Sequence, residues 1–126
     1  MKNLPFAFLA FGVLCIIVGM AYGIHMAIQQ DFATAPAHAH LNLLGFVLSA
    51  IFAFYYHLVP SAQGPTAWAH FVVHAVSVVL MFPGIILADT GHGDGLAKVA
   101  SLLAILAMLI FAWILLRNRV PKSVQA

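Results

Sequence analysis

The sequence predicts an all-α integral membrane protein, a bundle of four transmembrane helices with both termini in the cytoplasm. Of its 126 residues, 64% are hydrophobic and only 6% are charged. Soluble domains average about 25% charged residues, so this balance indicates that the natural solvent is lipid. At about 20 apolar residues per span, four spans occupy nearly the whole chain and leave room for a single domain.

Four hydrophobic stretches are separated by short links rich in turn-forming residues. The first stretch continues to about residue 29 without an A-x-A-like cleavage site, so we expect a retained helix rather than a cleaved signal peptide. Pro36 suits the first position of the second helix, and Gly64 and Pro65 precede the third. The predicted spans are about residues 5–29, 36–59, 66–88 and 95–117.

The basic residues predict the orientation in the membrane. All but Lys98 lie at the two ends of the chain: Lys2, Arg117, Arg119 and Lys122. The positive-inside rule therefore places both termini in the cytoplasm of a multi-pass protein, which we expect in a bacterial inner membrane. Four aromatic residues then fall near the cytoplasmic interface: Tyr55, Tyr56, Trp68 and Trp113. The small net charge of +2 gives no reason to expect a nucleic-acid partner.

Small residues within the spans are expected to serve helix packing. Gly12, Gly19 and Gly23 mark one side of the first helix, where another helix can approach closely. Cys15 is the only cysteine and lies within an apolar run, so it is interpreted as a packing residue. Three serines in apolar helical surroundings, with no acid–base partners evident, receive the same interpretation: Ser49, Ser77 and Ser101.

Seven histidines are many for so apolar a chain, because an unpaired imidazole in hydrocarbon costs several kcal/mol. Their depths separate them into two groups. The outer group, near the ends of the spans away from the termini, contains His25, His38, His40 and His92. The inner group contains His57, His70 and His74, of which the last two are four residues apart on one helical face. His40 and His74 lie roughly 16 Å apart along the bilayer normal, too far for one haem.

Histidines in such a bundle suit haem, because they supply axial ligands and an apolar interior with ten phenylalanines encloses a macrocycle. The candidate cofactor-binding residues are His40, His25, His38 and His74. The alternative is a copper or zinc ion held by His40, His25, His38 and His92, with help from Asp31, Asp89 and Asp94. His38 and His40 differ by about 200° around a helix, so one faces a neighbouring chain, which favours a homo-oligomer.

Two segments of the second helix carry a resemblance: Pro36-Ala-His-Ala-His-Leu-Asn-Leu-Leu-Gly45 and Phe54-Tyr-Tyr-His-Leu-Val-Pro60. They resemble helix two of the haem-copper oxidase superfamily, especially the large subunits of nitric oxide reductases and cbb3-type oxidases. The resemblance implies that His40 ligates a low-spin haem b near the outer face and that Asn42 matches the asparagine of that motif. The later helices that carry the copper site and active-site haem ligand have no counterpart here. Reduction of dioxygen or nitric oxide by this chain alone is therefore not implied.

The leading hypothesis is a small membrane cytochrome b that carries single electrons or holds haem. It binds one haem b, or two if the inner histidines hold a second. Its electron partners would be a quinol or a periplasmic carrier. The alternatives are a membrane protein that binds copper or zinc through the outer histidines, and a non-catalytic assembly subunit of a respiratory complex.

Overall fold

The computed structural model describes residues 3–119, which form four long helices. The helices are Leu4–Gln29, Ala35–Leu58, Pro65–Asp89 and Gly95–Arg117, and each is long and apolar enough to cross a membrane. The predicted all-α fold with four spans is confirmed, and every predicted helix end lies within one residue of the observed end. A multi-pass membrane protein is what these spans indicate. The orientation stays a prediction, and two of the residues behind it, Lys2 and Lys122, lie outside the described range.

The helices pack mainly as two neighbouring pairs, the first helix on the second and the third on the fourth. The start of the second helix also contacts the third, which joins the two pairs. The larger core cluster is rich in aromatic side chains and contains Leu4, Phe8, Phe52, Ala53, Tyr56, Ala62, Ala67 and Ile114. Cys15 is buried in a smaller cluster with Leu41 and Val78, as its packing interpretation predicted.

The second helix changes its winding directly after His40. Residues Ala35–His40 are α-helical, Leu41–Val47 form a π-helix, and Leu48–Leu58 return to α-helix. Its buried residues include a row at intervals of four: Ala37, Leu41, Gly45, Ser49 and Ala53. Because an α-helix has 3.6 residues per turn, residues spaced by four point in progressively different directions around its axis. The wider turns of a π-helix reduce this change of direction. The π segment therefore keeps the row facing the bundle.

The glycine side of the first helix packs against the second helix. A Cβ on Gly12 would lie 3.0 Å from the Cβ of Ser49, and one on Gly23 would lie 2.7 Å from Cε1 of His38. Gly19 meets the side chain of Asn42 in the same way. These glycines therefore allow the close approach of two helices, which is the packing role that the sequence predicted.

A buried serine ties the third helix to the fourth. Ser77 donates a hydrogen bond of 2.9 Å to the carbonyl oxygen of Ala100. We expect Ser77→Ala to lower the free energy of unfolding by about 0.6 kcal/mol, the average for such bonds between membrane helices. Unfolding in mixed micelles, followed by circular dichroism, measures the change. Ser101→Ala is the control, since Ser101 bonds only Ala97 of its own helix; equal losses in both variants would contradict the prediction.

Candidate histidine sites

His40 lies on the exposed surface of the second helix, one residue before the π segment. Its Nδ1 lies 2.7 Å from the carbonyl oxygen of Pro36. Because a carbonyl only accepts hydrogen bonds, this contact assigns the ring proton to Nδ1. Nε2 therefore carries the lone pair, and the ring is exposed. The contact with Pro36, one turn earlier, orients the ring. His40 therefore presents Nε2 toward the outside of its own bundle.

His38 has the opposite orientation and packs into the bundle. Its Nδ1 donates a hydrogen bond of 2.6 Å to the carbonyl oxygen of Gly19. Its Nε2 makes a long contact of 3.5 Å with Nδ2 of Asn42, and its ring covers Gly23. The two histidines therefore face different sides of the second helix, as their offset predicted. Both nitrogens of His38 are engaged with groups of its own chain.

His25 lines an open cleft of about 550 Å³ at the outer ends of the first and third helices. A hydrogen bond of 2.6 Å between Tyr22 and Thr34 ties one wall together across the first link. His25 is exposed, and its ring centroid lies 6.0 Å from that of Tyr22. The lining is Tyr22, His25, Met26, Gln29, Asp31, Thr34, Ile86 and Thr90. His25 and Asp31, both predicted to take part in a copper or zinc site, therefore line the same cleft.

His92 lies in the turn before the fourth helix, where its Nδ1 lies 2.9 Å from the hydroxyl of Thr90. Thr90 also lines the cleft, so His92 lies near the rim. Within residues 3–119, however, no three histidine, cysteine or acidic side chains lie close enough to hold one metal ion. The four histidines predicted to share a copper or zinc ion are thus not brought together within one chain: His25, His38, His40 and His92.

His70 and His74 form a buried pair on the third helix, which we call the inner pair. The two side chains are 0% and 4% exposed, and their ring centroids are 6.2 Å apart. Each ring is hydrogen-bonded to the second helix. The hydroxyl of Tyr56 lies 2.9 Å from Nδ1 of His70, and the hydroxyl of Ser49 lies 2.8 Å from Nε2 of His74. Two polar bonds between helices therefore cross an otherwise apolar core.

Aromatic rings enclose the inner pair. Two phenylalanines contact both imidazoles: the centroid of Phe52 lies 4.5 Å from that of His70 and 5.2 Å from that of His74. The corresponding distances from Phe8 are 5.1 and 5.9 Å. Phe111 stacks on His70 at 5.3 Å. The rings therefore exclude water and leave the histidines with few polar neighbours.

One nitrogen of the inner pair is fully buried without a hydrogen-bond partner among the described residues. This atom is Nε2 of His70. A buried polar atom without a partner costs about 1–3 kcal/mol, so such atoms are rare in folded proteins. Nε2 of His70 is therefore a buried polar atom whose role the fold alone does not explain.

The structure adds detail to three interpretations of these helices. Tyr56, predicted to lie near the cytoplasmic interface, is fully buried within the bundle, and its hydroxyl contacts His70. Ser49, interpreted as a packing residue, lies against the first helix and also bonds His74. His57, grouped with the inner pair by depth alone, is exposed and does not join the buried pair. The sequence contained a signal for these contacts with the inner pair: Ser49 and Tyr56 are polar residues two turns apart on one apolar helix.

Comparison with known proteins leaves the chain without a demonstrated relative. No protein-family model, no curated protein and no solved structure matches it. The likeness to haem-copper oxidases therefore rests on the two segments of the second helix, and the function has to be argued from the geometry of the histidines.

Proposed function

We propose that this chain is a small membrane cytochrome b, which binds haem b and transfers single electrons or holds the haem, with His40 as one axial ligand. The orientation of His40 is the observation that carries the proposal. Histidines that bind metals typically donate their second ring N–H to a carbonyl or carboxylate, as Nδ1 of His40 does to Pro36. Nε2 is thereby available on an exposed ring, at the position that the oxidase-like motif assigns to a haem ligand.

The surface next to His40 suits an apolar macrocycle. Leu43 and Val47, at the following turns of the second helix, are 59% and 42% exposed. The π-helix that begins after His40 adds support, since such segments occur often at functional sites. Bound haem supplies one-electron chemistry, while the chain ligates the iron through His40 and covers the ring with apolar side chains.

A second chain is the favoured source of the second axial ligand. His38 is engaged by Gly19 and Asn42, so it would have to give up both contacts to bind iron. His40 faces away from its own bundle, and a twofold axis beside it would bring the two copies of His40 to one haem. We therefore propose a homodimer with one haem between the chains. His25 of the same chain is the alternative ligand.

The proposed setting is a bacterial inner membrane with both termini in the cytoplasm. The clustered basic residues at the chain ends support this orientation through the positive-inside rule. His40 then lies at the outer side, within reach of a quinol or a periplasmic electron carrier. The inner pair is not used as a haem ligand in this proposal, because aromatic side chains fill the space around His74.

Absorption spectroscopy of the purified full-length chain tests the proposal. The protein is prepared in mild detergent from haem-replete cells, and oxidised and dithionite-reduced spectra are recorded. We expect a Soret band, sharp α and β bands on reduction, and one haem b per two chains by pyridine haemochrome and amino-acid analysis. One haem per chain would favour His25 as the second ligand. A colourless protein would refute haem binding and leave elemental analysis for copper and zinc as the next step.

A further inference from the structure

We propose that the inner pair, His70 and His74, binds a single copper(I) ion inside the helix bundle. The site shares no residue with the proposed haem site, and the inference does not depend on haem binding. Three observations carry it: the unpartnered Nε2 of His70, the separation of the two imidazoles, and the aromatic rings that contact both of them.

The hydrogen bonds to the second helix leave one nitrogen of each imidazole for a ligand. A neutral imidazole carries one N–H and one lone pair. We assign the proton of His70 to Nδ1, bonded to Tyr56, so that the buried Nε2 holds the lone pair. We likewise assign the proton of His74 to Nε2, which lies 2.8 Å from the hydroxyl of Ser49, so that Nδ1 holds the lone pair. Histidines that bind a metal through one ring nitrogen usually donate the N–H of the other nitrogen to a nearby polar group.

The separation of the rings suits one shared ion. Histidines four residues apart on one face of a helix can bind one metal ion together, as in the H-E-x-x-H zinc motif. Taking the length of zinc–imidazole bonds, about 2.0–2.1 Å, as a guide, two imidazoles on opposite sides of one ion have centroids about 6 Å apart. The observed separation is 6.2 Å. The positions of the two rings therefore fit one shared ion without movement of the third helix.

The surroundings select a monovalent ion. Each acidic residue, Asp31, Asp89 and Asp94, is exposed at a helix end or in a link, and Cys15 lies in the other core cluster. A divalent ion between neutral imidazoles would thus carry two uncompensated charges into a medium where each costs several kcal/mol. Copper(I) carries one charge, accepts two nitrogen ligands, and would lie beside Phe8 and Phe52, which contact both imidazoles. Aromatic rings interact favourably with cations. Because both ligands are neutral, binding releases no proton.

Copper(I) titration of the full-length protein in detergent tests this site. Copper(I) is added without oxygen under reducing conditions, in competition with bicinchoninate, which forms a coloured copper(I) complex. We expect one copper retained per wild-type chain. His70→Gln and His74→Gln, which retain side chains able to form hydrogen bonds, should each retain none. Tyr56→Phe should bind about 10–100-fold more weakly, since it removes the group that orients His70.

Control variants separate this proposal from the haem proposal and from misfolding. His57→Ala removes an exposed histidine of the second helix and should bind copper like the wild type. His40→Ala should also bind copper normally, whether or not haem binds. X-ray absorption of the wild-type complex should show two nitrogen neighbours and no sulfur, a result that needs no variant to fold. Failure of the wild type to retain copper, sulfur ligation, or equal retention in His70→Gln would overturn the proposal.

Discussion

Replacing His40 with alanine is expected to remove the haem. The variant loses the proposed axial ligand, and substitutions of groups that merely orient a ligand already cost about 10–100-fold in affinity. We therefore expect the haem content of the purified protein to fall by at least about tenfold, measured as the Soret absorbance per chain after gel filtration. The helix content should remain unchanged, because the ring of His40 is exposed and bonds only its own helix.

His57→Ala is the matched control for this experiment. His57 is also an exposed histidine of the second helix, near the opposite end, so its removal should leave the Soret band intact. Full haem content in His40→Ala would rule out His40 as a required ligand. Equal loss in both variants would indicate non-specific haem adsorption to surface histidines.

Gly84→Ala is expected to have the largest effect on stability. A Cβ at this position would lie 2.8 Å from the backbone nitrogen of Ala97 and 3.1 Å from its Cα. Because these are backbone atoms, the third and fourth helices must separate to admit the methyl group. Overpacking of this kind costs about 1–3 kcal/mol. Unfolding of the variant in mixed micelles, followed by circular dichroism, measures the loss of free energy.

Gly95→Ala provides the control for this steric argument. Gly95 begins the fourth helix, and a Cβ there would meet no atom within 4 Å. Alanine also has the higher helix propensity, so this variant should be as stable as the wild type or slightly more stable. Destabilisation of both variants to the same extent would show that glycine is needed for reasons other than close packing.

The two proposed sites make different demands on the chain. The proposed haem site uses an exposed face and requires a second chain, whereas the proposed copper site lies wholly inside one bundle. Dilution into excess detergent micelles should therefore weaken haem retention and leave copper retention unchanged, because only the haem site requires two chains. Haem retention thus measures the association of two chains, and copper retention measures the integrity of the folded core.

The sequence by itself determined the four spans and the placement of some histidines. A bilayer requires about 20 apolar residues per helix, and polar links interrupt the apolar runs, so the helix ends were predicted within one residue. Helical periodicity also predicted that His70 and His74 share a face and that His38 and His40 do not. These are local properties, which follow from the geometry of a single helix.

Only the tertiary structure decided which side chains meet. It buries Tyr56, pairs Ser49 with His74, encloses the inner pair between Phe8 and Phe52, and introduces the π-helix after His40. Hydropathy does not predict these contacts, because a side chain that faces lipid and one that faces another helix are equally apolar. The partner of a membrane histidine is set by how neighbouring helices pack, which depends on small residues and shape distributed over the whole bundle.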